Sequence, residues 1–147
     1  MMFRALLCSL LLLLPTLASA QQTSPQRFGN LTVYYNTFNS SYLQPDIAAN
    51  TGLTRGPTHG VVNIAVQQQT AEGPVAVDAL LSGTVTNMLG QRSNLRFIRL
   101  QEDDSIYFVA NYTATQRGLL RFEVEIRPSS GGTTQTLRFQ QEFFPDD

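Results

Sequence analysis

The chain has 147 residues, with ten basic and eleven acidic side chains, a net charge of −1, one cysteine, one histidine and no tryptophan. Every basic residue is an arginine, which excludes lysine Schiff-base chemistry and a Walker-type phosphate loop. The near-neutral balance offers no basic face for nucleic acid.

Arg4 followed by the apolar run Ala5–Leu14 reads as a secretory signal. The run has the length of a signal h-region and is too short to span a bilayer. Pro15 ends it, and Ala18-Ser19-Ala20 fits the small-residue cleavage rule, so cleavage is expected after Ala20. Residues 1–20 are then a signal peptide and residues 21–147 a single domain. Cys8 lies in the h-region, so the remainder uses no disulfide and no thiol chemistry. No later apolar run would make a membrane helix, so no membrane span is expected after cleavage.

In chain order, Phe28–Thr37 reads as a first strand, rich in Thr, Val and Tyr. Asn39-Ser40-Ser41 is a turn cluster. Pro45 sits where a short helix would start and Gly52 where it would stop. Arg55–Gly60 is a Gly/Pro loop. Val61–Gln69 is a second strand, Ala71–Pro74 a turn, and Val75–Thr86 a third strand in which Gly83 implies a bulge or a close backbone approach. Asn87–Gly90 is a turn. Arg92–Gln101 is a fourth strand whose apolar residues fall on both faces, as in a central strand or one with a phase-shifting bulge. Glu102–Ser105 is a polar turn and Ile106–Thr113 a fifth strand.

The sixth strand, ending at Arg127, carries the clearest pattern. Leu120, Phe122, Val124 and Ile126 alternate with Arg121, Glu123, Glu125 and Arg127, as a strand with one wet face requires. Thr134–Phe144 is a seventh strand, and a hairpin with the sixth would set Arg138 opposite Glu123 or Glu125. About seven short strands with frequent turns and almost no helix predict an all-β fold, an antiparallel β-sandwich of immunoglobulin-like topology. A small closed barrel is the alternative.

Chemistry-bearing residues are few. His59 is the sole histidine and lies in a Gly/Pro loop. No serine stands in a nucleophile-elbow context, and no further His or Cys exists after residue 20 to complete a zinc site. Glu102-Asp103-Asp104 lacks the spacing of a calcium loop. No catalytic residue, metal site or cofactor is therefore assigned. Tyr34, Tyr35, Phe38 and Tyr42, interleaved with Asn36, Asn39 and Gln44, form an aromatic and amide cluster of the kind that builds adaptable binding surfaces. Tyr35, Tyr42, Asn39, Gln44 and His59 are the candidate ligand-binding residues.

Three stretches, Phe38–Pro45, Thr86–Gln91 and Leu137–Pro145, together with the signal segment and the length, resemble a family of small exported proteins of Gram-negative bacteria known as domain of unknown function 4426. The resemblance implies a periplasmic location and supplies no activity or site residues. The expected function is binding of an envelope protein or other envelope component without catalysis. The alternatives are a glycan or small-ligand module built on the Tyr34–Tyr42 aromatics, and a small hydrolase using His59 and carboxylates.

Overall fold

The computed structural model describes residues 24–146, so the signal segment read at residues 1–20 lies outside the described residues. The elements are β1 (Gln26–Phe28), β2 (Leu31–Asn39), a 3₁₀ turn (Ser40–Tyr42), α1 (Pro45–Thr51), β3 (His59–Thr70), β4 (Gly73–Ala76), β5 (Ala79–Thr86), β6 (Arg92–Leu95), β7 (Ile98–Glu102), β8 (Ser105–Thr113), β9 (Gly118–Pro128) and β10 (Gln135–Phe143). They form two antiparallel sheets, β1-β2-β3-β8-β7 with β4 also on β3, and β10-β9-β5-β6. The order β2-β3-β8-β7 facing β10-β9-β5-β6 is the immunoglobulin arrangement with one added strand on the second sheet. The sheets do not close into a barrel.

The alternation along β9 drives this packing. Leu120, Phe122, Val124 and Ile126 are all buried, and the charged residues between them face water. Opposite them, β3 contributes Val62, Ile64 and Val66, and β8 contributes Phe108, Ala110 and Tyr112. An aromatic row runs through this layer. Tyr35 packs on Phe139 at 4.3 Å, Phe139 stacks on Phe122 at 4.7 Å, and Phe122 meets the Tyr112 ring edge-on at 5.1 Å. Tyr35 and Tyr112 at its ends come from the first sheet and Phe139 and Phe122 between them from the second, so the row ties one to the other.

A second, smaller core lies on the outer face of the first sheet. Leu53, Val61 and Val109 are buried there, with Phe38, Leu43, Ile98 and Leu100 around them. The segment from Ser40 to Thr58 covers this face. Its helix begins at Pro45 and stops at Gly52, which takes φ 76° and donates its N–H to the Ala48 carbonyl at 2.9 Å. The fully buried Ser40 hydroxyl donates to the Gly56 carbonyl (3.0 Å) and accepts from the Gly56 N–H (2.9 Å), closing the loop on itself. Asn111 on β8 bonds both the N–H and the carbonyl of Thr54. Burial on both faces explains the consecutive buried residues Val61-Val62 and Phe108-Val109-Ala110.

Three of the expected strands are divided. Phe28–Thr37 contains a two-residue hairpin at Gly29-Asn30, where Gly29 takes φ 63° and Phe28 pairs with Leu31. Val75–Thr86 splits at Val77-Asp78: β4 folds back on β3, whereas β5 crosses to the other sheet. Arg92–Gln101 likewise splits at Arg96-Phe97, with Leu95 in the inter-sheet core and Ile98 and Leu100 on the outer core. The two-faced apolar pattern there records a change of sheet rather than a central strand or a bulge. Gly83 marks a close approach: the β5–β9 ladder is continuous past it, and a Cβ there would lie 2.9 Å from the Glu123 carbonyl oxygen.

The two crossings are held together by one ion pair. Arg99 Nε donates to both Asp78 carboxylate oxygens at 3.0 Å, and the Ala79 N–H donates to the same carboxylate at 2.9 Å. The hydrogen bond from Arg99 holds the Asp78 carboxyl below its ordinary value of 3.8.

Truncating Phe122 to Ala should cost about 3–5 kcal/mol, as for a buried aromatic, and Arg121→Ala should cost little. Urea melts of the two variants check this facing of β9. A carboxyl with a depressed folded value stabilises the protein above its unfolded pKa, and that contribution is lost as pH falls through the folded value. The stability gap between the native protein and Asp78→Asn should therefore be open at about pH 6 and shrink below the ordinary carboxylate range, as read by thermal melts across pH.

Candidate functional site

The loops with the most exposed apolar side chains gather at one end of the sandwich. Register fixes this end: Asn39 lies opposite Gly60, His59 opposite Thr113, Thr86 opposite Arg92, and Phe143 opposite Gly118. The ends of β2, β5, β8 and β10 and the starts of β3, β6 and β9 thus share one pole. Tyr42, Met88, Leu89 and Phe144 are 79%, 76%, 81% and 50% exposed here, and Leu119 is exposed beside them.

The Met88-Leu89 turn is built by its first residue. Asn87 Oδ1 accepts the N–H groups of Leu89 (3.0 Å) and Gln91 (2.9 Å), and Asn87 Nδ2 donates to the Gln91 side chain at 2.8 Å. The backbone N–H of Asn87 closes the loop on the Gln91 carbonyl, and Gly90 turns the chain at φ 80°. The polar side chains hold the backbone, so the two apolar ones project. A groove of about 480 Å³ runs beside them, with Met88, Leu89, Thr115, Arg117 and Leu119 among its walls. Arg117 stacks on the Phe144 ring at 4.6 Å and donates from Nε to Glu142 at 3.2 Å.

The five candidate ligand residues fare differently. Tyr35 faces the inter-sheet core, where its ring lies on Phe139, and Tyr34 is the exposed member of the pair. Asn39 donates its amide to the Phe144 carbonyl (2.7 Å) and to Asp146 Oδ1 (2.9 Å), tying the end of the chain to β2. Hydrogen bonds from Ser41 and Asn39 hold the Asp146 carboxyl below its ordinary range. Gln44 precedes α1 and is exposed, and its carbonyl accepts the Ala48 N–H. His59 starts β3 with its Nδ1 3.3 Å from the Thr58 hydroxyl oxygen. Tyr42 stands free at the pole.

His59 and the carboxylates of Glu102–Asp104 do not meet. His59 is opposite Thr113 at one end of β8, and Glu102 is opposite Ser105 at the other. At about 3.4 Å per residue the two are roughly 27 Å apart. Among the described residues no three His, Cys, Asp or Glu side chains come together to hold a metal ion. Sequence reading placed Asn87–Gly90 as a turn and passed over its content. An Asn followed by two large apolar residues in a turn was the available signal.

Each of the three stretches that carry the family resemblance includes residues at this pole. The family described as domain of unknown function 4426 (DUF4426) matches residues 25–146. A DUF4426 family protein from Pseudomonas aeruginosa shares 36% identity and superposes with a TM-score of 0.75 over 87% of this chain and 99% of its own. FetP of uropathogenic Escherichia coli superposes with a TM-score of 0.66 at 11% identity, over 84% of this chain and 95% of its own. A copper-bound variant of FetP gives 0.63, also at 11% identity, over 83% and 95%. Those two likenesses are of fold alone. No curated protein matches the chain. No described helix is long and apolar enough to cross a membrane. The chain belongs to the DUF4426 family.

Proposed function

We propose that this protein is an exported, non-enzymatic binding module of the periplasm that docks an apolar segment of a protein partner at the loop pole. The observation that carries this reading is the Met88-Leu89 turn. Two large apolar side chains are 76% and 81% exposed on a backbone fixed by Asn87. Folding does not need them there, since neither belongs to either core. A preformed loop loses little entropy on binding, and a thioether adapts to uneven apolar surfaces. Tyr42 and Phe144 add aromatic area at the same pole. Export is supported by the signal pattern of residues 1–20.

The other two readings have less behind them. A hydrolase using His59 with Glu102–Asp104 would have to act across the length of β8. A glycan platform loses Tyr35 to the core and keeps Tyr42. It would leave Met88 and Leu89 idle.

A photo-cross-linking residue at position 89, introduced in cells that export the protein, should give a discrete protein adduct that disappears with Met88→Ser. The same residue at position 80, where Leu80 is 69% exposed on the opposite part of the second sheet, should give none. Equal labelling at the two positions, or no protein adduct at position 89, would remove this reading, and loss of binding only in Tyr42→Ala would favour the glycan platform.

A further inference from the structure

The solvent face of the β10-β9-β5-β6 sheet carries a second arrangement, of charged and polar side chains, that borders the loop pole. Gln140, Arg121, Thr86 and Arg92 lie directly opposite one another across the four strands. The next rung holds Arg138, Glu123, Thr84 and Asn94. Arg92 and Arg121 flank Thr86, and with strands about 4.8 Å apart their Cα atoms are about 10 Å from each other. Side chains on one face of a sheet point the same way, so both guanidinium groups reach the space above Thr86. A shallow cavity of about 780 Å³ occupies that space.

The nearby acids do not neutralise this pair. Glu123 is taken by Arg138 at 3.5 Å, and Glu142 by Arg117 at 3.2 Å. Glu125 lies further along β9, opposite Ser82 and Thr136. Among the described residues Arg92 and Arg121 have no carboxylate within ion-pair distance. Two unneutralised like charges on one rung, about 10 Å apart, repel each other, and both side chains are exposed. Their placement therefore answers to something other than packing.

We propose that this face binds a phosphate group, clamped between Arg92 and Arg121 over the hydroxyls of Thr84 and Thr86. The donor set decides the ligand class. Two guanidinium forks, two hydroxyls and the Gln140 amide offer more donors than the two oxygens of a carboxylate accept. A tetrahedral phosphate has the oxygens to take a fork from each side and a hydroxyl from below. Arg138, held by Glu123, borders the site.

The phosphate belongs either to a soluble molecule or to a lipid headgroup, and two probes separate these sources. Inorganic pyrophosphate is titrated into the protein by calorimetry, and vesicles of phosphatidic acid in phosphatidylcholine are used in a co-sedimentation assay beside phosphatidylcholine alone. Arg92→Ala and Arg121→Ala should each weaken binding about tenfold or more, the loss of a charge-assisted hydrogen-bonded contact. Arg127→Ala, on the same face opposite Leu80, should leave it unchanged. Loss of pyrophosphate binding in the variants assigns a soluble phosphate, and loss of vesicle binding alone assigns a lipid one. Binding of neither probe, or equal binding by the native protein and the Arg92→Ala/Arg121→Ala double variant, overturns the proposal.

Discussion

The Tyr112 ring lies over Gly60, and much of the structure depends on that contact. Gly60 sits directly opposite Tyr112 in the β3–β8 ladder, and a Cβ at Gly60 would overlap the tyrosine ring. The missing side chain lets the ring cross β3 and set its hydroxyl against the Thr37 side chain of β2. The other side of the ring meets Phe122 and Phe143 edge-on, at 5.1 and 6.2 Å, in the facing sheet. One buried side chain thus touches four strands besides its own and both layers of the sandwich. Burial pushes its phenol pKa up, so the ring stays neutral and belongs to the core.

This contact also stands just beneath the loop pole. Tyr112 is one residue from the end of β8, and Phe143 is the last residue of β10. The aromatic packing therefore anchors the strand ends from which the β8–β9 loop and the final segment leave. Asn39 then fastens that segment through Phe144 and Asp146, and Asn87 fastens the β5–β6 turn. Polar side chains are spent on backbone groups, and large apolar ones are left facing water. That inversion of the usual arrangement separates this pole from the opposite one, where the β7–β8 hairpin ends in Asp103-Asp104.

Much of the fold was legible because β9 alternates without interruption and because turn residues punctuate the other strands. The Arg138 pairing left open between two partners settles on Glu123, at 3.5 Å. What stayed hidden were changes of layer. A strand that leaves one sheet for the other keeps its apolar residues but shifts their phase, and Leu95, Phe97 and Ile98 read equally well as a central strand. The hairpin at Gly29-Asn30 hid because the apolar residues on either side, Phe28 and Leu31, look continuous in a list. Within β2, alternation required that one of Tyr34 and Tyr35 face inward, and only the pairing with Phe139 decides that it is Tyr35. Asn39 looked like a ligand contact because an amide serves a backbone carbonyl and a ligand equally well.

Family membership brings no activity with it, so the functional reading rests on geometry: a fixed apolar pole joined to a sandwich that the Gly60–Tyr112 contact holds together. The most direct test of that account is the urea stability of Gly60→Ala, followed together with the near-ultraviolet circular dichroism of the tyrosines. A methyl group forced against a buried ring should cost about 1–3 kcal/mol and alter the aromatic signal, because Tyr112 has to leave its place between the sheets. A Gly60→Ala protein that melts like the native one with an unchanged tyrosine spectrum would mean that the ring does not lie across β3, and the link between the core and the loop pole would be lost.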